Sequence, residues 1–199
     1  MIIIDITNFK HRNKFDHLVD VFKEEVAATN IAVSNFSEYY ENNVVKTYIE
    51  NNIEKTYDID FTKYVYADSD WFGVKVFDRQ AMTRVDPFSL AVFPKTIKIL
   101  ETMDGIDRAS FYTVGPGSYV PEHKDNDDGI EIDNKPIYNC ALTTHVSNGV
   151  TITIGDTVIG PLTEKHAICL NAHDYLHSAN NNSDSHWMAM VLCIRRDAV

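Results

Sequence analysis

The chain has 199 residues, enough for one domain, or one domain with an appended subdomain, that buries its own core. With 44% hydrophobic and 11% aromatic residues it suits a folded globular protein rather than a disordered one. A net charge of -11 argues against a broad phosphate-binding surface and against anionic membranes, so neither nucleic acid nor membrane is an expected partner, while cationic or small neutral substrates stay open.

The opening MIIIDITNFKHR carries an apolar run too short for a signal peptide, and no segment reaches membrane-spanning length, so a soluble cytoplasmic protein is expected. Residues 13 to 29 place Phe15, Leu18, Val19, Phe22 and Val26 at helical spacing and predict an amphipathic helix. The Asn- and Tyr-rich part from about 35 to 66 reads as short strands or hairpins. DWFGVKVF at 70 to 77 alternates apolar and polar residues, as a strand does.

DPFSLAVFPKTIKILETMDG predicts a second helix. Asp86 is its expected cap, Val92, Phe93, Ile97, Leu100 and Met103 line one side, and Gly105 stops it, with Pro94 as an alternative start. From Ala109 onward strand signals dominate: ASFYTV, IYNCALTTH, VTITIG, AICLN and HWMAMVLCI, divided by PG, SNG, GD and GP turns. A helical portion followed by many short strands predicts an α+β protein whose strands form a sandwich or barrel. Cys140, Cys169 and Cys193 are odd in number and have no CxxC spacing, which predicts small buried side chains in a reducing compartment.

Candidate chemistry centres on YVPEHKDNDD. His123 and Asp125 stand at i and i+2, so an extended chain points both to one face. His177, just before the last strand, is placed to supply a third ligand. Two imidazoles with one carboxylate form the facial set of non-haem iron oxygenases, which keeps three positions open. HxD is common, so spacing alone leaves a solvated turn as an alternative. A calcium loop fails, because counting from Asp125 puts Gly129 fifth and Pro136 where the bidentate Glu belongs. HDYLH lacks the Glu that follows the first His in zinc proteases, so His173 is expected beside a ligand or at the surface.

FPKTIKILETMDGIDRASFYTVGPGSYVPEHKD, with its helix, strand, PG turn and P-x-H-x-D motif, resembles the aspartyl/asparaginyl β-hydroxylase-like family of Fe(II)- and 2-oxoglutarate-dependent oxygenases. The distal segment LHSANNNSDSHWMAMVLCI is similar to that family's H-x-x-x-N motif and closing strand. The resemblance spans about residues 68 to 196, and the first 65 or so match nothing recognised. It implies a double-stranded β-helix, a jelly-roll or cupin-like barrel with flanking N-terminal helices. Residues 1–67 would be an extension packed on the barrel and 68–199 the oxygenase domain.

The resemblance further implies that His123, Asp125 and His177 ligate Fe(II), with 2-oxoglutarate and dioxygen as cosubstrates. It implies hydroxylation of an amino acid or of an Asp, Asn or Pro side chain in a peptide or protein; no oligomeric state is implied. Two alternatives are a non-catalytic cupin-like binding module and a cupin-type metal enzyme that does not use 2-oxoglutarate. This sequence departs from the family twice. The family's R-x-H after the first motif reads Ile137-Tyr138-Asn139, and the arginine about ten residues past the distal histidine is replaced at His186-Trp187. Tyr112, Asn139 and His186 are therefore the expected contacts of 2-oxoglutarate, with Arg195 and Arg108 as fallback anchors. Trp71 and Arg79 are candidates for capping the barrel mouth.

Overall fold

A computed structural model describes residues 3–31, 35, 47–50, 53–56, 61–66, 69–79, 85, 87–125, 137–146 and 148–199. In chain order the elements are β1 (Ile3–Ile4), α1 (Phe15–Ala28), β2 (Thr47–Glu50), β3 (Ile53–Thr56), β4 (Phe61–Tyr66) and β5 (Ser69–Asp78). Then come α2 (Pro87–Val92), α3 (Pro94–Glu101), β6 (Ile106–Val114), β7 (Tyr119–His123), β8 (Ile137–His145) and β9 (Val150–Ile154). The chain closes with β10 (Thr157–Ile159), β11 (Ala167–Leu170), β12 (His177–Asn181) and β13 (Trp187–Arg195).

One sheet has the order β1-β11-β8-β13-β6-β5-β4, a second has β10-β9-β12-β7, and β2 pairs with β3 alone. The pairings within these sheets are antiparallel. The eight strands from β6 to β13 pass back and forth between the two larger sheets. Strands β11, β8, β13 and β6 stand side by side in one, and β10, β9, β12 and β7 in the other. That order is the jelly roll, or double-stranded β-helix. Strands β5 and β4 extend the larger sheet at one edge and β1 at the other.

The period of two along each strand divides the larger sheet into two apolar faces. Met188, Met190, Leu192 and Ile194 of β13 join Phe111 of β6 and Phe72 and Val74 of β5 on the helix side. Trp187, Ala189, Val114 and Trp71 instead face the barrel, with Val150, Ile152 and Ile154 of β9. Helix α1 forms where the spacing predicted it and buries Phe15, Leu18, Val19, Phe22 and Val26 on the helix side. The Phe22 ring stacks on Phe93 at 5.1 Å and meets Phe111 at 5.2 Å, joining α1, the α2–α3 link and the sheet.

The expected single helix from 87 to 103 is two. Pro94 has no N–H to give to the preceding turn, and it disfavours helical geometry at the residue before it. Phe93 accordingly adopts φ -114°, ψ 38°, and α3 starts at Pro94. Asp86, the expected cap, lies outside the described residues. The first turn of α3 is capped from another helix: Lys95 N and Thr96 N donate to the two carboxylate oxygens of buried Glu25, at 2.6 and 3.0 Å. At the other end, Arg79 Nη2 donates to the carbonyls of Leu100 and Met103, at 2.9 and 3.0 Å. A carboxylate at the N-terminus and a guanidinium at the C-terminus satisfy orphan backbone groups and match the helix dipole. Arg79 thus works at the helix end and not at the barrel mouth. Gly105 ends the segment at φ +92°, where a Cβ would sit 2.6 Å from Ala198.

No helix among the described residues is long and apolar enough to cross a membrane.

Candidate metal centre

Strand β7 ends at His123, and the backbone N–H of Asp125 donates to Ala172 O at 3.1 Å, pinning the chain beyond the strand. Strand β12 begins at His177, directly opposite His123 in the β7–β12 ladder. An irregularity between His177 and Ala179 shifts the register there, a device that re-aims side chains. His123, Asp125 and His177 therefore converge: one ligand atom from each lies within 4.8 Å of the others, the one such group among the described residues.

Nε2 of His123 is 3.4 Å and Nε2 of His177 is 3.6 Å from the same Asp125 oxygen, Oδ1. Three ligand atoms each 2.0–2.2 Å from one ion stand about 3.0–3.4 Å apart, depending on coordination angle. The two distances to Asp125 are close to that range, and the set can hold a metal ion if the imidazoles move inward. His123 Nδ1 is 2.7 Å from Pro121 O, so that nitrogen donates to the carbonyl and the Nε2 lone pair is left for the centre. Asn139 Nδ2 donates to Asp125 Oδ2, which holds the carboxylate so that Oδ1 faces the imidazoles.

Electrostatics favour the ligating protonation states of Asp125 and His177. Burial pushes the Asp125 carboxyl up, but the His123 hydrogen bond and the neighbouring imidazoles outweigh it and leave the pKa below its ordinary value. Burial pulls the His177 imidazole down, keeping it neutral. His123 is raised, first by its hydrogen bond to Asp125. An ionised carboxylate beside a neutral imidazole is the form a metal requires, and an ion there would replace the His123–Asp125 contact.

The centre opens onto a cavity of about 530 Å³ between the two sheets. Tyr112 and Asn139 line it, as does Trp187, whereas His186 does not. His186 stands just ahead of β13, with Asp70 and His145 as its titratable neighbours. Tyr112 owes its place to Gly73 opposite it on β5: a Cβ there would come within 2.4 Å of the phenol ring. Arg195 pairs with Asp104 and Asp107 and is absent from the cavity wall. Trp71 lines the cavity at its apolar part, 6.0 Å from the Tyr112 ring. Arg108 and Lys75 also line it. Sequence reasoning named Arg108 as a fallback and passed over Lys75, whose alternation in DWFGVKVF was the available signal.

A family model described as aspartyl/asparaginyl beta-hydroxylase matches residues 23–197, extending the recognised similarity well upstream of residue 68. No curated protein matches the sequence. Among solved structures, a Pseudomonas putida prolyl-4-hydroxylase is similar at 10% identity and TM-score 0.46, covering 91% of this chain and 87% of that one. A predicted oxalate decarboxylase from Thermotoga maritima is similar at 10% identity and TM-score 0.42, covering 69% of this chain and 93% of that one. The Schizosaccharomyces pombe Cnp3 cupin domain is similar at 7% identity and TM-score 0.41, covering 73% and 78%.

Proposed function

The chain belongs to the aspartyl/asparaginyl β-hydroxylase family, and on that premise we propose that it is an Fe(II)- and 2-oxoglutarate-dependent oxygenase that hydroxylates the side chain of an amino acid or peptide. The observation that carries this reading is the convergence of His123, Asp125 and His177 at the opening of a cavity between two sheets. Three ligands on one side of an ion leave the opposite side for cosubstrates, which a structural site with four protein ligands does not. Bound Fe(II), with 2-oxoglutarate and dioxygen, supplies the oxidising power and the oxygen atom, releasing succinate and carbon dioxide as a C–H bond becomes C–OH.

The chain's own residues orient and shield. Pro121 O sets the tautomer of His123, Asn139 sets the angle of Asp125, and the β7–β12 ladder sets the distance between the imidazoles. The apolar walls, with Ile152, Leu170, Ala189 and Trp187, keep bulk water from the reacting centre. A cupin-type metal reaction without 2-oxoglutarate is the second reading. It is favoured by Trp187, which brings an indole where the family's closing strand carries arginine.

Anaerobic titration of the apo-protein with Fe(II), followed by 2-oxoglutarate, separates these readings. The expected result is stoichiometric iron binding and then a visible charge-transfer band. Iron binding without a band favours the second reading, and absence of specific iron binding removes both.

A further inference from the structure

Two cationic side chains stand on the inner face of the larger sheet at the level of the metal centre. Lys75 of β5 is 6% and Arg108 of β6 is 7% exposed, and both line the cavity. Such charges are rarely buried this far unless they are paired. Both reach Asp78 Oδ2, Lys75 Nζ at 3.6 Å and Arg108 Nε at 3.4 Å. Asp78 is fully buried and is not part of the cavity wall, so it anchors the two cations from behind.

Position ties the pair to the metal centre. Asn139, Cys193 and Arg108 stand side by side on β8, β13 and β6. Strand spacing puts the Arg108 backbone about 10 Å from that of Asn139, and Asn139 holds the metal-facing Asp125. The thiol between them cannot serve as the counter-charge. Burial pushes the Cys193 pKa up to about 12, so it is neutral. Along β6 the cavity wall continues from Arg108 through Ser110 to Tyr112, alternate residues on one face. A guanidinium followed by two hydroxyls, with an ammonium beside it, is a donor set made for a carboxylate.

We infer that Arg108 and Lys75 form a carboxylate-binding subsite facing the metal centre, so that the cavity takes a short organic acid whose other end reaches the metal. This deepens the oxygenase reading and rests on it for the ligand's role. The carboxylate comes either from the cosubstrate or from an acidic or amino-acid substrate. The net negative charge of the chain as a whole does not oppose this, because Lys75 and Arg108 outnumber Asp78 by one charge and act on the cavity at close range.

Both tryptophans of the chain, Trp71 and Trp187, line the cavity, so intrinsic fluorescence reports its occupancy. Full-length metal-free protein is titrated with succinate, 2-oxoglutarate, aspartate and uncharged succinamide. A saturable response to at least one acid and none to succinamide is expected. Lys75→Met and Arg108→Lys should each weaken that binding about tenfold or more, the second because Lys keeps the charge but loses the planar fork. Arg108→Met leaves Lys75 and Asp78 as a balanced buried pair and guards against an Arg108→Lys variant that fails to fold; it should bind no acid. Repeating the titrations with Mn(II) bound assigns the source. Aspartate and 2-oxoglutarate compete if the cosubstrate occupies the subsite, and bind together, with only aspartate sensitive to Lys75→Met, if the substrate does. Wild-type protein indifferent to every acid, or variants that bind as wild type does, would overturn the inference and leave an ion-pair cluster of structural use only. Mn(II) affinity, measured separately by calorimetry, should be unchanged in Lys75→Met; its absence from wild type would instead count against the oxygenase reading.

Discussion

His123 and His177 face each other across the β7–β12 ladder, with ring centroids 4.2 Å apart and planes inclined by 49°. That pairing sets the ligand spacing through backbone hydrogen bonds and not through loops. His123→Ala and His177→Ala should therefore each abolish tight Mn(II) or Fe(II) binding in calorimetric titration. Far-ultraviolet circular dichroism and cooperative unfolding should persist, since neither imidazole belongs to either apolar cluster. Loss of the fold in both variants would show that the histidines are structural.

Asn139 acts on the metal through Asp125. Removing its amide in Asn139→Ala releases Asp125 Oδ2 and should lower metal affinity about 10- to 100-fold, the usual effect of losing a group that orients a ligand. Calorimetry with Mn(II) measures this directly, and an affinity equal to wild type would exclude the positioning role.

Asn181, four residues after His177, is fully buried at the far end of β12. Its Nδ2 lies 2.9 Å from Val114 O and Gly115 O and 2.8 Å from Ser185 O, while Oδ1 accepts from Ser183. Asn181→Ala should cost about 2–4 kcal/mol in urea unfolding, because several buried backbone groups lose a partner together. A cost below 0.5 kcal/mol would refute that account.

The carboxylate cap of α3 gives a further check. Glu25→Ala leaves the buried N–H of Thr96 and the half-buried N–H of Lys95 without their acceptor and should destabilise by about 1–3 kcal/mol. Glu25→Gln should cost less, since one amide oxygen can still accept. Phe111→Ala should cost about 3–5 kcal/mol, as it empties the contact between Phe22, Phe93 and the sheet.

Stability should depend on pH through His186. Burial lowers its pKa in the folded protein, with Asp70 opposing and His145 adding to the effect. The unfolded chain then binds the proton first. Stability is unaffected above about pH 6.5, falls as pH drops from there to the lower folded-state value, and is level below it. Urea midpoints at intervals between pH 5 and 8 should trace this fall, and His186→Asn should flatten part of it. An unchanged profile in the variant would assign the dependence to other groups.

Strands β6, β8, β9, β11 and β13, helix α1 and the HxD pair were legible, because each depends on spacing along the chain, two for strands and 3.6 for the helix. The short strands β7, β10 and β12 were not read as strands. The H-x-x-x-N of the distal segment was legible as a pattern, and its reason became visible only in the contacts of Asn181. Pro94 was legible as an alternative helix start, since a missing N–H acts within one turn, but the separate helix α2 ahead of it was not. The cap from Glu25 was not legible. It lies some 70 residues from the N–H groups it serves, and nothing local marks it.

Chain-local chemistry therefore determined which residues share a face and where α1 runs, while the full metal-ligand set was proposed from the family resemblance and not from spacing alone. Tertiary structure alone decided which face is inside. In DWFGVKVF the alternation was plain and ASFYTV read as a strand, and a half-buried strand normally turns its polar face to water. Here the apolar face of both strands is taken by α1 and α3, so Lys75, Arg108 and Tyr112 turn into the barrel instead. Sheet closure likewise moved the cationic wall from the start of β13, where His186 stood as the candidate, to β5 and β6. A period of two assigns side chains to two faces, but only the layers packed against the sheet make one of them a cavity.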